Sequence, residues 1–591
     1  MTAVWPRRAP GAPGVDRPAS GRPAFDRPAF DRPALDEALR PLLDPLYGDD
    51  APRVRADLLD LAERWSERLP HREARLPDQS TAYLITYADA VQRAGEPPLQ
   101  TLRHVLDEHV GSAITDVHLL PVYPWTSDDG FAVVDHRQID PALGTWRDVE
   151  ALAGDRRVML DLVANHMSAS SPSFTGWLAG DPELAGYFIE RDPAFDDARV
   201  VRPRTSPLHH RYPRGDGPGE VEAWTTFGPD QVDVDVREPR VLLDLTDVLL
   251  GYVAHGARTI RLDAIGFLWK ESGTTCLHLP QTHAVIKAWR AVLDHVAPGT
   301  LVLTETNVPH AENVSYFGDG GDEAHLVYQF ALPPLVLDAF VQGRADVLGA
   351  WAAGVGAVSG TATWFTFLAS HDGIGMRPSE GLLDDAARDA LARRAIAHGG
   401  RVSMATDPAG RERMYELNVG FLDALADPGA ADHDAQVVTR GLAAHSILLS
   451  LAGVPAVYYH SLLGSPQDVA GMTASGIARR VNRARLDADE LDAELRRPGR
   501  RREVFTGLRH MLTVRAGQPG FDPFAPQDVS VVAGRALVVR RAAGTPEEVV
   551  AVTNVSGAPV TLDGFSGTDV LTGTAHVDPV LPPYGYVWLR P

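Results

Sequence analysis

Three carboxylates, each set just past a short β-branched or aromatic run, are the residues here best equipped for chemistry. Asp263 closes Arg258-Thr259-Ile260-Arg261-Leu262-Asp263, a run preceded by the breaker Gly256. Glu305 closes Leu301-Val302-Leu303-Thr304-Glu305, and Asp372 follows Trp364–Ser370 and His371. Such runs read as strands. In a parallel β/α barrel the strand C-termini meet on one rim, so carboxylates far apart in sequence face one another there. Two close carboxylates can run a retaining glycosidase-type reaction: one attacks the anomeric carbon, and the other protonates the leaving oxygen and later activates the acceptor. A charged nucleophile needs a cation beside it. Arg261, two residues before Asp263, falls on the same strand face.

Further runs of the same texture supply the rest of the barrel: Ala82–Tyr87, Asp116–Pro121, Arg157–Val163, Ala324–Phe330 and Gly453–Tyr459. Alternating with helical stretches, they predict an α/β fold, a (β/α)8 TIM barrel over 81–166 and 242–515. Between 167 and 241 the rhythm stops in a Pro-, Gly-, Arg- and aromatic-rich segment too long for a simple loop, which predicts an inserted domain B. After a helix near Phe505–Arg515, short β-branched runs between Gly and Pro turns predict a C-terminal antiparallel β domain over 516–591. At the other end, Arg-Pro-Ala-Phe-Asp occurs twice and Arg-Pro-Ala-Leu-Asp follows from Arg32. Proline at that density predicts a disordered tail over 1–34, followed by a helical segment over 35–80.

The net charge of −22 argues against nucleic acid and anionic membranes as partners. One cysteine, Cys276, excludes an internal disulfide and a cysteine-rich metal site. The start lacks the apolar core of a signal peptide and no run is long enough to span a membrane, so a cytoplasmic location is expected. His278 and His283 are five apart and do not share a helix face. The basic run Arg496–Arg502 reads as a solvated turn between helices.

Asp161…Asn165-His166, Arg261-Leu262-Asp263-Ala264, Glu305 and His371-Asp372 match, in order and spacing, the motifs of the α-amylase superfamily (glycoside hydrolase family 13). The resemblance covers most of 80–515. It implies retaining chemistry on an α-glucoside, with Asp263 as nucleophile, Glu305 as acid/base and Asp372 as transition-state stabiliser. It implies that Arg261 supports Asp263, that His136 and His371 bind the glucosyl unit, and that Asp89 and Arg483 close the pocket. Asn165 sits where many amylases hold calcium; the nearer relatives lack that site, so no metal is expected.

A narrower likeness lies in Lys270–Cys276, Ala331-Leu332-Pro333-Pro334-Leu335, His371–Gly375 and Trp224-Thr225-Thr226-Phe227…Gln231-Val232-Asp233, which resemble sucrose phosphorylase and its relatives. These enzymes cleave an α-glucoside with phosphate and release α-glucose 1-phosphate, with no cofactor. The likeness implies that Phe227 and Gln231 contact the sugar and that Arg204 and Tyr415 handle phosphate. Glu416 after Tyr415, Thr304–Asn313 and Trp269-Lys270-Glu271 depart from plain sucrose phosphorylase and look more like the glucosylglycerate phosphorylases, which split 2-O-α-glucosylglycerate. Sucrose and sucrose 6-phosphate phosphorylases are the alternatives, then an α-glucosidase or transglucosidase; a non-catalytic binding barrel fits least. An acceptor carboxylate would call for a cation at the pocket mouth, with Lys270, Arg202, His210 and Arg377 as candidates. The expected partners are small molecules, and the expected state is a monomer or homodimer.

Overall fold

The computed structural model describes residues 30–70, 75–215, 217–406 and 411–591. Its centre is a closed parallel barrel. In chain order the strands are β1 (Tyr83–Thr86), β2 (Asp116–Leu119), β3 (Arg157–Val163), β4 (Ala257–Asp263), β5 (Leu301–Thr304), β6 (Leu326–Tyr328), β7 (Thr363–Phe367) and β8 (Val454–Tyr458). Each pairs with its sequence neighbours, and β8 closes on β1 through Tyr83↔Ala456. All eight were legible from sequence, because strands covered by helices on one side and barrel filling on the other read as near-continuous apolar runs.

The segment between β3 and β4 carries two short antiparallel pairs. His166–Ser168 pairs with Gln231–Asp233, and His209–Pro213 with Glu220–Trp224. The first pair anchors the insertion directly above the end of β3. The C-terminal sheet is antiparallel, with Gln527–Val532, Ala536–Arg541, Val549–Asn554 and Tyr586–Arg590 as successive neighbours. Two buried arginines join it to the barrel layer. Arg541 donates to the Ser450 and Asp522 carbonyls, and Arg515 to those of Leu449 and Phe521.

Of the tail expected over 1–34, residues 1–29 lie outside the described residues. Its last part is a correction, because helix α1 (Arg32–Tyr47) already begins there. Asp31 caps it, accepting from the Ala34 N–H at 3.0 Å, and Pro33 sits in the first turn, where a missing N–H costs nothing. With α2 (Ala51–Arg68) it forms a hairpin against the barrel's outer helices. Trp65 donates its indole N–H to Asp247 (2.9 Å) and Tyr47 its hydroxyl to the Val236 carbonyl (2.8 Å).

The basic run straddles an exposed bend between the helices Ala488–Arg496 and Arg500–Ala516, as expected of a solvated turn. Arg500 opens the helix Arg500–Ala516, and its side chain is buried against Asp423 (2.6 Å) and the Gly464 and Ser465 carbonyls. Arg501 donates to Leu463 and Glu494. Within the run these two side chains have structural partners, while Arg496, Arg497 and Arg502 are exposed.

A hairpin between β7 and β8 was not anticipated. Arg401–Thr406 pairs with Glu412–Asn418, which in turn pairs with Ile374–Gly375 just after Asp372. Gly373 lies so close to the Leu417 carbonyl that a Cβ could not fit. This contact brings Tyr415 and Glu416 to the barrel rim.

Candidate active site

Parallel register places the chemistry. β3 and β4 pair with Asp161 opposite Arg261 and Val163 opposite Asp263. On the other side, β4 and β5 pair with Thr304 opposite Leu262, so Glu305 emerges beside Asp263. Arg261 is buried and binds Asp161 at 2.5 Å and Asp263 at 2.6 Å; its other nitrogen is 4.0 Å from Glu305. Asp161 also accepts from His118 on β2 at 2.8 Å, with both side chains fully buried. The guanidinium is thereby clamped from below and aimed at the nucleophile candidate. Ala264 takes a left-handed conformation (φ 49°), and its N–H donates to Glu305 at 3.0 Å. That strained turn links the two carboxylates directly.

Their protonation behaviour differs. Burial raises the pKa of Asp263, opposed by Arg261 at hydrogen-bond distance. Burial, with the like charges of Asp263 and Asp372, pushes Glu305 up to about 7 against the weaker pull of Arg261. Burial acts on Asp372 in the same sense but is overcome by Arg479, His371, Arg483 and Arg261, and its pKa falls below the ordinary carboxylate range. Arg479 is 2.6 Å from Asp372 and 3.2 Å from Glu416, while Glu416 also accepts from the Gly373 N–H.

The three carboxylates and Arg479 line a cleft of about 480 Å3. Of the residues expected there, Asp263, Glu305, Asp372, Phe227, Gln231, His371, Arg204 and Tyr415 do line it, with Arg261 beneath. Arg204 lies over the Tyr415 ring, its guanidinium carbon 5.7 Å from the centroid.

Three expected residues are placed elsewhere. His136 is buried against Tyr123, off the cleft, and burial drops its pKa to about 4. The histidine that faces the cleft beside His371 is His166, held by the Phe131 carbonyl (2.9 Å) and Gln231 (3.2 Å). Asp89 does not pair with Arg483: it turns outward to Arg485 at 2.6 Å. Arg483 instead binds Asp129 at 2.6 Å and donates to the His371 carbonyl at 2.8 Å, and it stays off the cleft wall. The carboxylate missed at the cleft is Asp128. Asp128 and Asp129 both have left-handed backbone, at φ 53° and 51°, an uncommon state for non-glycine residues that their short polar side chains tolerate. The signal available in sequence was the Asp-Asp-Gly run before Phe131. Arg479 and Asn307 were also missed.

Trp125 lines a separate depression with Asp89 and Arg483, and Trp224 is buried beneath Lys270. Lys270 itself is a correction as a candidate acceptor reader. Its ammonium is buried between Asp233 (2.8 Å), Asn165 (2.9 Å) and the Phe267 carbonyl. Asn165 also donates to Asp233 at 3.0 Å. A cationic side chain therefore fills the position that the superfamily likeness associates with calcium. His210 is bonded to Thr225 at 2.6 Å, and neither it nor Arg202 lines the cleft.

Comparison with known proteins agrees with this architecture. Residues 109–372 match the alpha amylase catalytic domain. The chain is 46% identical over 545 residues to the glucosylglycerate phosphorylase of Allomeiothermus silvanus, covering 92% of this chain and 96% of the relative. It is 32% identical to the sucrose phosphorylase of Agrobacterium vitis, covering 75% of this chain and 89% of that one. The crystal structure of sucrose 6F-phosphate phosphorylase from Thermoanaerobacter thermosaccharolyticum superposes with a TM-score of 0.69 at 24% identity, over 80% of this chain and 94% of that one, and shares the fold. With this barrel, this carboxylate set and near full-length similarity, the chain belongs to the glucosylglycerate phosphorylase family within the α-amylase superfamily.

Proposed function

We propose that the protein is a retaining glycoside phosphorylase that cleaves 2-O-α-D-glucosylglycerate with inorganic phosphate, giving α-D-glucose 1-phosphate and D-glycerate. Arg204 stacked on Tyr415, in the same cleft as Asp263 and Glu305, carries the phosphorylase reading. A guanidinium without an ion pair among the described residues, beside a phenol, is a donor set suited to a phosphate dianion.

In the first half-reaction an Asp263 oxygen attacks C1. The C1–O bond to the aglycone breaks, and the Glu305 proton passes to the leaving oxygen. Arg261 holds Asp263 ionised and aligned. Asp372, kept ionised by Arg479, stabilises the positive charge that develops on the sugar. Phe227, Gln231, His166, His371 and Asp128 border the glucosyl pocket. In the second half-reaction a phosphate oxygen attacks C1, its proton goes to Glu305, and the bond to Asp263 breaks. A pKa near neutrality suits Glu305 to both directions of transfer.

The reading needs no cofactor, and the Lys270 ammonium between Asn165 and Asp233 supports a metal-independent fold. Among the described residues no helix is long and apolar enough to cross a membrane. We place the enzyme in the cytoplasm, where phosphate and sugar phosphates are handled. We expect a monomer or homodimer, with small-molecule partners only.

The test is a donor panel of glucosylglycerate, sucrose, sucrose 6-phosphate and glucosylglycerol in phosphate buffer, scored for glucose 1-phosphate and free glucose. Glucose 1-phosphate from glucosylglycerate is the expected result. Free glucose alone, independent of phosphate, would make the protein a hydrolase and overturn the proposal.

A further inference from the structure

A second cleft, of about 400 Å3, adjoins the catalytic one. Phe227, Ala264, Glu305, Asn307 and Tyr415 border both. Glu305 therefore faces the glucosyl pocket on one side and this neighbouring space on the other. A leaving-group oxygen protonated by Glu305 must lie at that boundary, with the aglycone in the second cleft.

The second cleft is largely apolar, bordered by Pro203, Phe267, Leu277 and Val308. Among the described residues, its charged side chains are Glu305 and Arg377. Arg377 begins a short 3-10 turn, Arg377–Ser379, that follows the strand Ile374–Gly375. It is half-buried, and among the described residues its guanidinium makes no ion pair. It lowers the pKa of Glu312 only from beyond ion-pair distance, and His278 already holds Glu312 at 3.4 Å. The other cations considered for the acceptor are committed or absent from this space: Lys270 is locked to Asp233, His210 is bonded to Thr225, and neither His210 nor Arg202 lines this cleft. Of the arginines in the catalytic cleft, Arg479 spans Asp372 and Glu416, and Arg204 is assigned to phosphate.

The aglycone's own chemistry supplies the second half of the argument. In a 2-O-glucosylated 2-hydroxy acid the carboxyl carbon is bonded to the carbon that bears the glycosidic oxygen. Its negative charge must therefore sit beside Glu305 and near Asp263 and Asp372, a crowded anionic region. Without a cation on the aglycone side the site would repel this substrate and favour a neutral polyol. A half-buried arginine with a free planar fork is matched to a carboxylate, and desolvation strengthens the pairing.

On the reading of the protein as a glucosylglycerate phosphorylase, we infer that Arg377 is the specificity-determining residue that binds the carboxylate of the departing 2-hydroxy acid. It selects acidic over neutral acceptors and leaves glucosyl transfer to and from Asp263 untouched.

The experiment runs the reaction in reverse, from α-glucose 1-phosphate, with D-glycerate or glycerol as acceptor. Arsenolysis of glucose 1-phosphate, which uses no organic acceptor, reports the fold, the nucleophile and the phosphate site. Arg377→Gln is expected to raise KM for D-glycerate on the order of 100-fold, as removal of one partner of a desolvated charge pair does. Glycerol transfer and arsenolysis should change less than about 3-fold, and Arg377→Lys should recover part of the glycerate preference. Unchanged glycerate-over-glycerol selectivity in Arg377→Gln overturns the assignment. So does an equal fall of arsenolysis and glycerate transfer in both variants, which would put Arg377 at the phosphate or in the fold. A wild-type enzyme that glucosylates glycerol or fructose but not D-glycerate overturns the aglycone reading itself, before any variant is made.

Discussion

Replacing Glu305 by glutamine should abolish turnover while making the folded protein more stable at alkaline pH. The Glu305 side chain is only 13% exposed, and its one hydrogen bond from the Ala264 N–H (3.0 Å) is one that a glutamine carbonyl can also accept. The substitution removes a titration at nearly constant shape. Burial and the charges of Asp263 and Asp372 raise this carboxyl from 4.5 to about 7, against Arg261. A carboxyl with a raised folded pKa costs stability as pH rises: nothing well below 4.5, and the full amount above 7. Linkage gives about 1 kcal/mol at pH 5 and about 3 kcal/mol at pH 8. The thermal midpoint of Glu305→Gln relative to wild type should therefore climb between pH 5 and 8. Its glucose 1-phosphate release should fall by about 100- to 10,000-fold. If the two proteins lose stability in parallel over that range, Glu305 is not raised in the folded state, and the basis for making it the proton donor fails. The same titration predicts that donor cleavage by wild type declines above about pH 7, as the acid form is lost.

Three further substitutions probe the other roles. Asp263→Asn should remove both phosphorolysis and arsenolysis, and mass spectrometry should show no glucosyl adduct after reaction with α-glucosyl fluoride; an adduct at an unchanged rate would exclude Asp263 as nucleophile. Arg204→Ala should raise KM for phosphate by about 10- to 100-fold and shift product from glucose 1-phosphate towards glucose, since water needs no guanidinium; an unchanged product ratio would remove Arg204 from the phosphate site. Lys270→Met leaves Asp233 buried at 2.8 Å from a lost charge and should cost about 3 to 5 kcal/mol, read as a lower unfolding midpoint in urea; a midpoint within error of wild type would mean that Asp233 finds another partner.

The readable part of this protein was what backbone periodicity fixes. A strand end followed by a carboxylate recurs at Asp263, Glu305 and Asp372, and parallel pairing then leaves little freedom: once Arg261 faces Asp161, Asp263 and Glu305 are neighbours. Loop partners were less legible. Asp89 lies in the turn after β1, and nothing in its spacing says that Arg485 draws it away from Arg483. His136 and His166 have similar local sequences, each following an Asp or Asn, and only packing decides that Tyr123 encloses one while the other faces the cleft. Lys270 looked like an available cation because a sequence does not display a buried counter-ion drawn from residue 233. Likeness alone points to Tyr415, and the hairpin that delivers it depends on the contact of Gly373 with Leu417, which no periodicity announces.

The division of labour among the carboxylates follows from how the arginines are shared out. Arg261 spends its short contacts on Asp161 and Asp263, Arg479 on Asp372 and Glu416, and Arg483 on Asp129. Glu305 is left with the guanidinium of Arg261 at 4.0 Å and one backbone N–H. It is the member of the catalytic set with the weakest cationic support, and so the one whose proton is held near neutral pH. Asp372, with two arginines close by, stays ionised throughout. Groups of one chemical type have been driven apart in pKa by unequal access to cations, and that separation assigns the acid and the permanent anion. It also explains why an acidic aglycone needs a cation of its own: Arg261, Arg479 and Arg483 are already balanced by carboxylates, Arg204 is assigned to phosphate, and Arg377 is the guanidinium on the far side of Glu305 that has no ion pair among the described residues.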